Sequence, residues 1–74
     1  MKKNQHVTPR SNGGWQVKGE GNLIATYVTS TQAEAIEKAT EIARNNESEL
    51  FIHGRDGRIR ERNSFGNDPS RSRG

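Results

Sequence analysis

The sequence predicts an α+β fold: a mostly antiparallel sheet of four or five strands with one helix packed on one face, in the order β-β-β-α-β-β. Three observations predict it. Apolar residues recur at helical spacing between Gln32 and Asn45, an Asp-Gly pair at 56–57 divides two β-rich runs, and two shorter β-rich runs before the helix are separated by turn formers.

The first two strands are His6-Val7-Thr8 and Trp15-Gln16-Val17-Lys18, joined as a hairpin through Pro9-Arg10-Ser11-Asn12-Gly13-Gly14. Trp15 alternates with Val17, which places the indole in the core rather than on the surface as a stacking platform for bases. Gly19-Glu20-Gly21-Asn22 then breaks the chain, and Leu23 to Val28 is expected to form a third strand. Its facing stays open, because Leu23, Ala25 and Tyr27 are no more apolar than Ile24, Thr26 and Val28; such a strand is expected to be covered on both sides.

The helix is predicted over Gln32 to Asn45. Thr31 and Glu34 have capping-box spacing, in which the hydroxyl accepts from the third helical amide and the carboxylate reaches back to the cap's own amide. Ala35, Ile36, Ala39, Ile42 and Ala43 form one apolar stripe, with Glu34, Glu37, Lys38, Glu41 and Arg44 largely outside it. Acids at the start and Arg44 at the end suit the helix dipole, Glu34 and Lys38 form an i,i+4 pair, and Asn45-Asn46 ends the helix.

After it, Glu49 to Arg62 reads as a hairpin whose two-residue loop is Asp56-Gly57, a type I′ signal. In that register Gly54 faces Ile59, His53 faces Arg60, Ile52 faces Glu61 and Phe51 faces Arg62. Leu50, Ile52 and Ile59 then share the core side, and Phe51, His53, Arg55, Arg58, Arg60 and Arg62 share the other.

Seventy-four residues allow one domain, expected over residues 1–66, with residues 67–74 as a flexible basic tail. The absence of cysteine excludes a disulfide framework and thiolate metal sites, and fits a cytoplasmic location. The basic start Met1-Lys2-Lys3 is followed by no apolar run, so no secretory signal is read. No stretch approaches the ~20 apolar residues of a membrane span, so a membrane is not an expected partner. Charge is divided along the chain: residues 1–30 carry +3, residues 31–49 carry −3 and residues 50–74 carry +3. An acidic helix and basic strands follow.

Several segments together resemble a family of short bacterial proteins known as domain of unknown function 2188. They are His6-Val7 with Pro9, Gly14-Trp15-Gln16-Val17-Lys18 with Glu20-Gly21, Thr31 to Ile36, Glu41 to Asn45, and Ile52-His53-Gly54-Arg55-Asp56-Gly57-Arg58-Ile59, with Ser64, Gly66, Asp68 and Pro69 at the end. The resemblance covers nearly the whole chain. It implies a stand-alone bacterial domain and carries over no activity, cofactor or catalytic residue.

The run from His53 to Arg58 gathers an imidazole, a carboxylate and guanidiniums, but turn geometry accounts for Asp56-Gly57, and general acid–base chemistry needs a pocket and an oriented partner. No enzyme is expected. His6 and His53, if they met across the sheet, would supply two ligands where zinc needs three or four, so they read as ordinary strand histidines and no metal or other cofactor is expected. The arginine face, with Lys18 and Gln16 on a neighbouring strand, has two readings beyond plain solubility. In one, a binding module contacts nucleic-acid phosphates through Arg55, Arg58, Arg60, Arg62 and Lys18, with Phe51 and His53 among them. In the other, the face or a strand edge meets a protein partner, most simply a second copy in a homodimer.

Overall fold

A computed structural model describes residues 3–66; the expected tail, residues 67–74, lies outside them. Five strands and one helix follow in the expected order: β1 Gln5–Pro9, β2 Trp15–Gly19, β3 Tyr27–Thr29, α1 Gln32–Asn46, β4 Glu49–His53 and β5 Ile59–Ser64. They form one sheet in the spatial order β3-β2-β1-β4-β5. Every pairing is antiparallel except one, where β4 returns from the helix to lie parallel to the central strand β1. A parallel neighbour needs a crossover, and α1 within the connection supplies it.

The β1–β2 hairpin turns where Arg10 N–H donates to Gly14 O (3.0 Å) and Gly13 N–H to Arg10 O (3.2 Å). Both glycines hold positive φ there, 98° and 82°. Side chains alternate across these strands, and Val7, Trp15 and Val17 turn to the helix with Leu50 and Ile52 from β4. The helix meets them with Ala35, Ala39 and Ala43, all fully buried, while Ile36, Ile42 and Phe65 pack around the rim. Alanine at i, i+4 and i+8 gives α1 a shallow face, so the volume of this core comes from the sheet. Each large side chain buried here contributes roughly 1.5–3 kcal/mol.

Thr31 caps α1 with extended backbone, and its hydroxyl accepts from Glu34 N–H at 3.2 Å. The returning carboxylate accepts from the amide of Ser30, one residue before the cap (3.2 Å). The helix runs one residue past Asn45 and closes at Glu47, whose left-handed backbone (φ 56°) lets its N–H reach Ala43 O and Arg44 O.

Two expectations need correction. The third strand is three residues long, not the whole of Leu23–Val28: after the Gly19-Asn22 turn the chain bows outward, and bonding to β2 resumes only where Thr26 N–H donates to Val17 O (2.7 Å). Leu23 and Ile24 are consequently 93% and 81% exposed rather than covered. In the β4–β5 hairpin, Gly57 N–H donates to Gly54 O (2.9 Å) and Gly54 N–H to Arg58 O (2.8 Å). Only Gly57 holds positive φ (86°), so the loop is the three residues Arg55-Asp56-Gly57, not a two-residue type I′ turn. The added residue slips the register, and a bulge after Ile52 restores it. Phe51 and Ile52 face Arg62 and Glu61 as predicted, but His53 faces Ile59 and Arg60 is left without a partner across the strands. Ile59 therefore shares the face of His53 and is 55% exposed instead of joining the core.

Candidate functional site

Among the described residues no element covers the sheet face opposite α1. Register dictates what stands on it. His6 lies between Lys18 on β2 and Phe51 on β4, and Phe51 lies beside Arg62 on β5. Lys18, His6, Phe51 and Arg62 thus form one line across four strands, with a cation at each end. Thr8, Gln16 and Val28 form a second row. There Arg10 donates to Gln16 Oε1 (3.0 Å), and Gln16 Nε2 donates to Thr8 Oγ1 (3.0 Å).

The centre of the face is a chain of ring contacts. The His6 imidazole stacks on Phe51 with centroids 5.0 Å apart and planes 19° from parallel. Its Nδ1 lies 3.0 Å from His53 Nε2, its Nε2 lies 3.3 Å from Glu20 Oε1, and His53 Nδ1 lies 3.1 Å from Gly57 O. A carboxylate and a carbonyl only accept, so the two outer contacts each need a ring N–H and the histidine–histidine contact needs a third. Two neutral imidazoles carry two. With both rings neutral, two of the three contacts of this relay are hydrogen bonds at once, and the tautomers decide which two. The His6 contact, followed by the Asn4 amide at 3.2 Å, holds the Glu20 carboxyl below its usual range.

The residues singled out from the sequence divide into two groups. Lys18, Phe51, His53 and Arg62 stand on the open face. The other three arginines do not extend it. Arg55 lies with its guanidinium 5.3 Å from the centre of the Trp15 ring, at the end of the core side. Arg60 lays its stem over Gly54. Arg58 sits at the hairpin tip with Nε 3.9 Å from Asp56, whose other oxygen accepts from the Arg58 amide (3.1 Å). A single continuous row of four arginines is thus replaced by an open face that keeps Arg62 and a hairpin end that takes the rest. The cause is the slipped register.

His6 is central to the face and Glu20 reaches it from the turn after β2, yet sequence reasoning considered the first only as half of a metal pair and passed over the second. The signal lay in two histidines on separate strands, and only the parallel β1–β4 pairing turns it into a contact. Among the described residues no group of three or more His, Cys, Asp or Glu is arranged to hold a metal ion, and no catalytic constellation is evident. No helix among them is long and apolar enough to cross a membrane.

The profile of a family described as "Uncharacterized protein conserved in bacteria (DUF2188)" matches residues 5–65. The chain is also similar to the "Uncharacterized protein YdaT" of Bacillus subtilis (strain 168), at 39% identity over 59 residues. That match covers 80% of this chain but 39% of the relative, so the chain spans well under half of the relative's length. No solved structure matches the chain.

Proposed function

The chain belongs to the DUF2188 family, and since neither the family's description nor the relative's name assigns an activity, we propose from the geometry a cytoplasmic, non-enzymatic module whose uncovered sheet face binds nucleic acid. The observation that carries this reading is the line Lys18–His6–Phe51–Arg62, two cations separated by a stacked pair of rings. Backbone phosphates match the ends of that line and an unpaired base matches its middle. Contacts of this kind read charge and a base's π-face, so they favour single strands with little sequence preference.

Anisotropy titration of a labelled single-stranded oligonucleotide at several salt concentrations tests this. Binding should weaken steeply with salt, and Lys18→Ala with Arg62→Ala should lower the magnitude of the log–log slope by about 0.7 for each phosphate that is no longer neutralised. Phe51→Ala should cost about 1–3 kcal/mol of affinity. Absence of binding at low salt refutes the reading.

Exposed Leu23 and Ile24, just before the edge strand β3, and exposed Val28 within it favour a second reading in which the module joins a protein partner, most simply its own copy. Light scattering distinguishes it: this reading expects a dimer that Leu23→Ser with Ile24→Ser dissociates, and a monomer at high micromolar concentration rejects it.

A further inference from the structure

We propose that Arg55 and Arg60, at the far end of the core side, form a phosphate-binding clamp separate from the open sheet face. They border a cleft of about 400 Å³ lined also by Trp15, Gln32, Gly54 and Asp56. Each guanidinium is placed by a different device. The Arg55 guanidinium lies over the Trp15 ring, its carbon 5.3 Å from the centre, and Trp15 is fixed by burial in the core. Arg60 is the extra residue of the β5 bulge, which frees its side chain from the strand's alternation. Its stem then occupies the gap over Gly54: a methyl group there would fall 2.5 Å from Arg60 Cδ and 3.0 Å from Cγ. Gln32 closes the remaining side by donating to His53 O (3.1 Å), which ties the start of α1 to the end of β4.

Neither arginine has an acidic partner within ion-pair distance among the described residues. Asp56, the acid on the rim, is turned to Arg58. Both arginines line the cleft and no acid among the described residues neutralises either within ion-pair distance, so the cleft attracts an anion. A carboxylate offers one edge, which a single guanidinium fork satisfies, whereas a phosphate presents several edges and can engage two forks together. The cleft thus fits a phosphate group, from a free phosphate compound or from a nucleic-acid backbone that wraps the hairpin end.

Trp15 is the chain's one tryptophan, so its fluorescence and indole N–H resonance report on this cleft alone. Titration with inorganic phosphate at constant ionic strength should change both saturably. R55Q/R60Q removes the charge-assisted contacts and should weaken the response about tenfold or more. Gly54→Ala, at a position without positive φ, keeps the net charge and displaces only the flexible stem of Arg60; it should weaken the response while circular dichroism stays unchanged. K18A/R62A, on the opposite face, should leave it intact. A short oligonucleotide that displaces phosphate identifies a backbone phosphate as the ligand, and saturation without displacement identifies a small phosphate compound; both support the clamp. A response that never saturates, or that R55Q/R60Q leaves unaltered, overturns it. Oligonucleotide binding that persists in that event, and still depends on Lys18 and Arg62, leaves the sheet-face reading standing.

Discussion

His6 Nδ1 and His53 Nε2 stand 3.0 Å apart, joining two strands whose residues are 47 positions separated in sequence. Their relay ends at Glu20, which gives the fold a pH signature. The Glu20 carboxyl is held below its unfolded value of 4.5, so its contribution to stability is present above that value and is lost as pH falls through the lower, folded one. Glu20→Gln should therefore be less stable than wild type near neutral pH, and the gap should close in acid below pH 4.5. Urea midpoints measured across that range check this; a gap independent of pH would sink the assignment.

The Thr31 hydroxyl caps the start of α1 through the Glu34 amide. Thr31→Ala should cost about 0.5–2 kcal/mol, read from denaturant melts. Thr31→Asn should restore most of it, since asparagine accepts the same bond.

Two glycines with nearly equal φ differ in their surroundings. At Gly57 (φ 86°) a methyl group would meet nothing within 4 Å, so Gly57→Ala should cost only the left-handed penalty, about 1–2 kcal/mol. At Gly14 (φ 82°) the same methyl would lie 2.8 Å from the backbone oxygen of Thr29, and displacing β3 adds to that penalty. Gly14→Ala should be clearly the more damaging of the two in thermal melts. Equal losses would count against the placement of β3.

Leu50 and Ile59 test the corrected hairpin register. Leu50 is fully buried, so Leu50→Ala should cost about 2–5 kcal/mol, enough to unfold much of so small a domain. Ile59, over half exposed, should tolerate threonine within about 0.5 kcal/mol. A large loss at Ile59 would restore it to the core and remove the bulge.

Features that depend on near neighbours were legible in the chain before any fold was known. The α1 stripe, the Thr31 cap and the core placement of Trp15 and Val17 all follow from periods of 3.6 or 2 and from capping chemistry within a few residues. Other features exist only in the assembled sheet. Leu23 and Ile24 read as strand because their β propensity is high, but bonding to β2 resumes only at Thr26, and propensity cannot supply a hydrogen-bond partner. The contact of His6 with His53 requires the parallel β1–β4 pair, which no local pattern encodes. The division of the arginines turns on the length of one loop. Asp56-Gly57 suits a loop of two residues or of three, and the three-residue loop combined with the bulge at Arg60 moves Ile59 out of the core and sends Arg55 and Arg60 to the Trp15 end. Because side chains alternate with a period of two, a slip of one residue exchanges the faces of a strand, and only the neighbouring strands fix where the slip begins and ends.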